Sequence, residues 1–359
     1  MVDRRFRATG LLAVLVAISQ VMAGAQGQGA GAPQAQGAGG APQGPGAGAP
    51  PGQGRGPGGP GGAQGRGGGG PGGAGGRGGR GAAFTPDPGA KDLKSVLYNW
   101  TWHMGMLRSG AESELIKTLD YHAEGGTIQV NGQPCALTKG RIQANYQIPG
   151  YRVQIECTLP NKQTYKNIET MSGDYAWDED IPGAELVAGK GKATPKPAAL
   201  EERRIRLWAS PQGAPKAAIA GAAGLPTAES FGKNPATLLD SQAAAGAKAT
   251  TTLTWQGDKA IVTFPVPGVD GAVATATLDN TFLPERVVVK NGTTTTEFVY
   301  SNFQDFNNPL FKIEALYPAT MVERKNGTVV RELKAKVTEV GQVYIIMPVP
   351  ASVRKAAGR

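Results

Sequence analysis

The stretch ERVVVKNGTTTTEFVY, residues 285–300, decides the fold that this sequence predicts. Two runs rich in β-branched residues, Glu285–Lys290 and Thr294–Tyr300, flank the dipeptide Asn291-Gly292, and an Asn-Gly pair between such runs is a strong signal for a β-hairpin. The chain repeats the pattern at Asn326-Gly327, ahead of a predicted strand over Thr328–Val340. The two turns predict an antiparallel meander.

Working outward from these hairpins, the rest of the chain after residue 84 predicts further strands with a few helices inserted early. Alternating apolar residues between turn residues indicate strands, and apolar spacings of three and four indicate helices. The segment Asp178–Ala199 is rich in Pro, Gly and Lys and is predicted to be an irregular surface loop. The prediction is therefore an α+β fold, in which a curved antiparallel sheet, a half-barrel or meander, packs on a few helices. The predicted strands are Thr118–Val130, Ala136–Gln147, Tyr151–Leu159, Tyr165–Met171, Thr250–Trp255, Ala260–Pro265, Ala272–Leu278, Phe311–Arg324 and Gln342–Met347, with helices over Asp92–Arg108, Leu200–Trp208, Gln212–Ala223 and, for one turn, Ala236–Leu239.

The N-terminal residues 1–25 have the pattern of a secretory signal peptide. Basic residues precede an apolar run, Leu11–Ile18, that is too short for a stable membrane anchor, and Ala23-Gly24-Ala25 fits a signal-peptidase site. An uncleaved anchor is the alternative. Since the first cysteine is Cys135, a lipid-modified N-terminus is not expected. The sequence thus predicts a periplasmic or secreted protein.

Residues 26–83 form a tract of Gly, Pro, Ala and Gln whose only charged residues are arginines. Such a tract has almost no apolar side chain to bury against the entropy of ordering, so we expect a disordered arm ahead of one folded domain, residues 84–359. The formal charge of +9 is concentrated in the signal peptide and this arm, and it does not indicate a nucleic-acid groove on the folded part. The arm is expected to act as a spacer or to contact anionic envelope polymers weakly.

The second half of the folded region resembles the outer-membrane lipoprotein carriers, the LolA/LolB-like half-barrels. The resemblance rests on TATLDNTFLPERVVVKNG (275–292), TEFVYSNFQDFNNP (296–309) and YPATMVERKNGTVVRELKAKVTEV (317–340), with Asp279, Leu283-Pro284, Tyr300, Asp305 and Pro318 at the matching positions. It covers about half of the folded region. It implies a curved sheet wrapped over helices, an apolar concavity for an acyl chain or a lipidated partner, and no catalytic residues.

The two cysteines, Cys135 and Cys157, would lie in an oxidising compartment, where a disulfide can form. The hairpin geometry argues against it, because a tight turn at Pro149-Gly150 would place Cys157 opposite Ile142. The sequence therefore leaves a Cys135–Cys157 disulfide open.

Motifs for catalysis or metal binding are absent from the sequence, which lacks both HExxH and GxSxG. His103 and His122 have no third ligand at a metal-site spacing. The acidic residues around Trp177 (Asp174, Asp178, Glu179 and Asp180) are expected to form a solvated loop, with a divalent-ion site as the alternative. We therefore predict no catalytic residues, no metal and no cofactor. An enzyme would need polar groups converging in a cleft, such as His122 with a carboxylate within hydrogen-bond distance.

The function class remains divided between two hypotheses. The first is a non-catalytic binding protein that holds a lipid or acyl chain in a half-barrel cavity. Its candidate ligand-binding residues are Trp102, which lies off the apolar stripe of its predicted helix, and Trp177. The second is a structural or interaction protein whose sheet has a filled core. An open apolar cavity would favour the first, and dense filling would favour the second.

Overall fold

The computed structural model describes residues 90–107, 116–305, 316–340 and 345–358, with backbone only for 337–340. The predicted signal peptide (1–25) and arm (26–83) lie outside the described residues, and their boundaries stay predictions. Among the described residues, none of the helices has both the length and the apolar character needed to cross a membrane.

The described residues form one curved antiparallel sheet of 13 strands with a few helices, which confirms the predicted α+β class. The strand order is β6-β5-β4-β3-β2-β1-β13-β12-β11-β10-β9-β8-β7, so pairing of the first strand with the last joins two meanders into a single sheet. The strands are β1 Thr118–Val130, β2 Gln133–Asn145, β3 Gly150–Thr158, β4 Thr164–Ser172, β5 Tyr175–Glu179, β6 Ala193–Pro195, β7 Thr252–Gln256, β8 Lys259–Pro265, β9 Val273–Leu278, β10 Pro284–Asn291, β11 Thr294–Asp305, β12 Leu316–Lys325 and β13 Thr328–Val340.

The helices are short and lie mostly between β6 and β7. The first, α1, begins after Asp92, whose carboxylate accepts a hydrogen bond of 2.9 Å from the Ser95 amide, as a helix N-cap does. Its predicted apolar stripe is buried, with Trp100 fully inaccessible, but the helix ends at His103 rather than at Arg108. The helices are α1 Leu93–His103, α2 Leu200–Trp208, α3 Gly213–Ala223, α4 Thr227–Ser230, α5 Pro235–Ala244 and α6 Ala351–Ala356.

The sheet has two faces with different covers, because successive residues of a strand point to opposite sides. Tyr121 and its cross-strand neighbour Ile142 belong to the inner face, which packs against α1, α2 and α3 in the main core. Asp120 and its neighbour Gln143 belong to the outer face. Part of the outer face is covered by the C-terminal segment 345–358, which forms a smaller core there.

The Asn-Gly turns come out largely as predicted. Asn326 and Gly327 both have positive φ, 49° and 84°, and Lys325 pairs with Thr328, which is a two-residue hairpin turn. At the other predicted turn Asn291 already pairs with Thr294, so the loop is shifted by one residue to Gly292 and Thr293.

The prediction of a tight turn at Pro149-Gly150 is wrong, and this prediction was the argument against a Cys135–Cys157 disulfide. Asn145 pairs with Gly150, because the Asn145 side-chain oxygen accepts hydrogen bonds from the amides of Gln147 and Ile148, at 3.0 and 2.8 Å, and turns the chain earlier. Cys157 therefore lies opposite Leu137, not Ile142. Cys135 and Cys157 are joined by a disulfide, with their Cα atoms 5.5 Å apart.

Two other predicted segments differ from the structure. Asp178–Ala199 is not one irregular surface loop, because Tyr175–Glu179 and Ala193–Pro195 are strands and Ala184 is fully buried. The strand predicted over Gln342–Met347 is absent from the described residues 345–350, which cross the outer face without strand pairing and lead into α6. Both segments owe their structure to contacts with the outer face, which a local pattern does not report.

Candidate functional site

The inner face retains a cavity of about 40 Å³ between the centre of the sheet and α2, which we call the inner cavity. Its floor comes from β1, β2, β3, β11, β12 and β13. Its roof comes from Arg206 of α2 and from Ser210 and Pro211 of the α2–α3 connection, residues 209–212. The most conspicuous lining residues are five tyrosines: Tyr121, Tyr146, Tyr151, Tyr300 and Tyr317.

The hydroxyls of these tyrosines fasten the α2–α3 connection to the sheet. The Tyr300 hydroxyl donates to the Ala209 carbonyl, and the Tyr146 hydroxyl lies 2.9 Å from the Ser210 hydroxyl. Burial raises the pKa of Tyr151 to about 12 and raises that of Tyr300 well above its ordinary value. These hydroxyls therefore stay protonated and act as hydrogen-bonding groups, not as acids or bases, near neutral pH.

A buried ion cluster closes one side of the inner cavity. The Arg206 guanidinium donates to Glu323 at 3.1 Å and to Glu169 at 3.0 Å, both on the inner face of the sheet, and also to Glu202 of its own helix. Arg331 lies 3.6 Å from the same Glu169 carboxylate and 3.8 Å from that of Glu323. The cluster attaches the last turn of α2 to strands β4, β12 and β13.

The ionisation of this cluster follows from its burial and pairing. Burial alone would raise the pKa of the Glu169 carboxyl, but attraction by Arg206 and Arg331 outweighs burial and lowers the pKa to about 2. Burial alone would lower the pKa of Arg206, and the carboxylates of Glu323 and Glu169 raise it instead. Glu169 and Arg206 therefore remain charged at neutral pH, and each depends on its partners for compensation.

Two more arginines of α2 reach other parts of the sheet. Arg203 donates to the carbonyls of Thr170 and Trp177 at 2.8 and 2.7 Å, and it pairs with Asp178. Arg204 pairs with Asp174 at 2.7 Å. Asp174 is 67% exposed in the turn between β4 and β5, whereas Asp178 and Glu179 belong to β5 and do not form the expected solvated loop.

The inner cavity as described is nearly filled. A water molecule needs about 10–15 Å³ of such volume, so about 40 Å³ holds roughly three waters, whereas ligand sites for small molecules span about 300–1,000 Å³. The apolar concavity predicted for an acyl chain is occupied by α1, α2, α3 and the tyrosine side chains.

A larger cavity, of about 720 Å³, lies on the outer face, and we call it the outer groove. It runs over β1 to β4, with the segment after β5 as one wall. Its side chains are mostly charged or polar, and they include His122, Lys139, Arg141, Gln154 and Glu156. No motif in the sequence indicated this groove, because its residues come from five strands.

The two tryptophans predicted to bind a ligand lie far from the inner cavity lining. Trp102, on α1, is 40% exposed and stacks on Tyr98 with ring centroids 6.1 Å apart. Trp177 is fully buried in the smaller core on the outer face, where its indole nitrogen donates to Glu179 at 2.8 Å. Neither residue lines the inner cavity or the outer groove, and their ligand-binding role stays a prediction.

The histidines form no catalytic or metal constellation in the described part of the chain. The Nε2 atom of His122 lies 3.7 Å from Asp120, beyond hydrogen-bond distance, and Asp120 is already bonded by Arg141 and Gln143. His103 stacks on Phe282, and burial lowers the His103 pKa. Over the described ranges, no three His, Cys, Asp or Glu side chains are grouped so that they could hold a metal ion.

Comparison with known proteins concerns the fold. No family model and no curated protein matches this chain. The sheet is similar to that of a lipoprotein-sorting domain. That domain, from Vibrio parahaemolyticus, is provisionally described as an outer membrane lipoprotein-sorting protein domain; the similarity covers 69% of this chain and 93% of that one, with 8% identity and a TM-score of 0.32. It is a domain of the kind that the strand motifs resemble, and at this TM-score we base no functional conclusion on it.

Proposed function

We propose that the protein is an exported, non-catalytic binding protein of the bacterial envelope that holds a lipid or acyl chain between the inner face and the α2–α3 connection. The signal-like N-terminus and the Cys135–Cys157 disulfide support export, because disulfides persist in oxidising compartments. The arginine-bearing arm would add a weak contact with anionic envelope polymers. A lipidated protein is a possible partner, because its acyl chain would bind at the same site.

The observation that carries the proposal is the construction of the inner cavity. Its floor is mainly an apolar and tyrosine surface from six central strands, including Leu119, Ile142 and Leu333, while its roof is Arg206 and one short connection. A ligand of acyl-chain size needs the roof to move, since the described volume is about 40 Å³. The site proposed is therefore the inner face after displacement of residues 209–212.

The way α2 and α3 are attached makes such a displacement physically reasonable. The connection itself is held by hydrogen bonds from Tyr300, Tyr146 and Gln212, which water can replace. The buried side chains of α3 are mainly alanines, with Ile219 as its one large aliphatic residue. Small side chains bury little apolar area, so separating α3 from its neighbours costs less than separating a leucine-rich helix.

The test is native mass spectrometry of the mature protein purified from its own envelope, followed by titration with palmitate. The proposal expects lipid to co-purify at a defined stoichiometry. Ala144→Val adds two methyl groups to the cavity floor and should weaken palmitate binding roughly tenfold. Ala193→Val makes the same change at a buried alanine on the outer face and should leave palmitate binding unchanged.

A second candidate, a structural or interaction protein with a filled core, is favoured by the volume of about 40 Å³. It predicts a clean apo mass and no response to palmitate or phospholipid, for the wild type and both variants. That result would contradict the lipid-binding proposal.

A further inference from the structure

We infer that the outer groove binds a short peptide with free amino and carboxyl ends, lying across strands β2 to β5. The groove is on the opposite face from the proposed lipid site and does not depend on it. Its volume of about 720 Å³ falls in the range of about 300–1,000 Å³ that is typical of small-molecule and peptide sites.

Most charges of the outer groove are already compensated by neighbours. Lys166 pairs with Glu156 at 3.0 Å, Arg141 pairs with the buried Asp120, and Glu124 of β1 pairs with Lys336 at 2.6 Å. Glu179 is itself buried and accepts from Arg152 at 3.2 Å and from Trp177. These pairs form the floor and give it no large net charge.

Two lining charges remain, and they have opposite signs. Lys139, on β2, is exposed and forms no ion pair among the described residues. Asp180, directly after β5, accepts hydrogen bonds from the amides of Ile181 and Lys192 at 2.8 and 2.7 Å, and no cation of the described chain pairs with it. The outer groove is therefore positive at its β2 end and negative at its β5 end.

The register places these two charges nearly in one row. Lys139 lies opposite Glu156, which lies opposite Lys166, whereas Asp180 follows Glu179, the partner of Ile168, and so lies one position out of this row. Three strand spacings of about 4.8 Å separate β2 from β5, or roughly 14 Å. An extended peptide advances about 3.3 Å per residue, so four residues span this distance.

The chemistry along the row suits the interior of such a peptide. Gln154 offers an amide that can both donate to and accept from peptide groups, and Ile168 offers an apolar surface between the charged ends. The peptide carboxylate would meet Lys139, with Arg141 beside it, and the peptide amino group would meet Asp180. Charge complementarity and length both point to this ligand.

The experiment titrates the full chain with tetraalanine while amide NMR shifts of the groove residues are followed. Saturable shifts below about 10 mM are expected. Lys139→Gln should weaken binding about fivefold for tetraalanine and leave binding of its C-terminal amide unchanged, since the lost partner is the carboxylate. Asp180→Asn keeps a side-chain oxygen that can accept from the amides of Ile181 and Lys192. It should weaken the binding of peptides with a free amino end and leave the binding of N-terminally capped peptides unchanged.

Lys290→Gln, at an exposed lysine of β10, is the matched control and should bind tetraalanine as the wild type does. Equal binding of tetraalanine and its doubly capped form would overturn the inference, because the ends would not be recognised. Absence of saturable shifts would overturn it as well. Competition by phosphoethanolamine as effective as tetraalanine would assign the outer groove to a zwitterionic head group and not to a peptide. The lipid-binding proposal is unaffected by any of these results.

Discussion

A buried ion pair on the inner face and an exposed ion pair on the outer face have opposite roles. On the inner face, Arg206 and Glu323 have side chains 10% and 7% exposed and lie beside a cavity of about 40 Å³. On the outer face, Lys166 and Glu156 are 69% and 36% exposed in a groove of about 720 Å³. The difference teaches that burial, not the identity of the residues, decides whether a pair holds the fold or stays available for a ligand.

The largest expected effect follows from breaking the inner cluster. Arg206→Met keeps most of the side-chain volume but leaves the Glu169 and Glu323 carboxylates with only the more distant Arg331. We expect the free energy of unfolding, measured with urea, to fall by about 3–5 kcal/mol. Arg286→Met, at an arginine 52% exposed in a pair with Glu297, should change it by less than about 0.5 kcal/mol. Similar losses for both variants would remove the distinction between the faces.

A smaller effect concerns the pH dependence of the same cluster. Because the folded-state pKa of Glu169 is lowered to about 2 from an ordinary 4.5, its stabilisation is present above pH 4.5 and is lost as the pH falls towards 2. The loss should amount to about 3 kcal/mol in the free energy of unfolding. Glu169→Gln should be less stable than the wild type at pH 7, and the two should converge as the pH approaches 2. A gap between them that stays constant with pH would contradict the assignment.

The smallest effect is expected from the outer pair. Lys166→Gln removes the partner of Glu156 at an exposed site, and the free energy of unfolding should change by less than about 0.5 kcal/mol. A double-mutant cycle with Glu156→Gln measures the coupling directly, and we expect it to vanish at high salt because exposed pairs are screened. A coupling above about 2 kcal/mol would show that the outer face is as structural as the inner one.

Local sequence signals predicted the bounds of strands correctly where the residues that give the signal also form the turn. Thr118–Val130 and Thr328–Val340 have the predicted bounds, and the helix Leu200–Trp208 does as well. Two-residue turns such as Asn326-Gly327 set both the turn and the register of the strands beside it. At Asn145 the signal was a side-chain hydrogen bond to later amides. Missing it, together with the bulge between Leu137 and Lys139, put the predicted partner of Cys157 five residues away, at Ile142.

Most contacts in the candidate sites could not be predicted from the sequence. The run Glu201-Glu202-Arg203-Arg204-Ile205-Arg206 indicates a helix, yet it does not show that Arg206 meets Glu323, which is 117 residues away. The five tyrosines of the inner cavity come from strands across the whole sheet. Trp177, a candidate ligand-binding residue, is buried with residues of the C-terminal segment.

The sequence by itself determined the α+β class, the hairpins and the positions of most strands, because turn chemistry and the two-residue alternation of strands act over a few neighbours. Only the tertiary structure decided that α2 and α3 occupy the inner face, that Cys135 reaches Cys157, and that unlike charges remain at the ends of the outer groove. Those features depend on the order in which distant strands join the sheet. Burial and pairing then set the charge state and energy of each group.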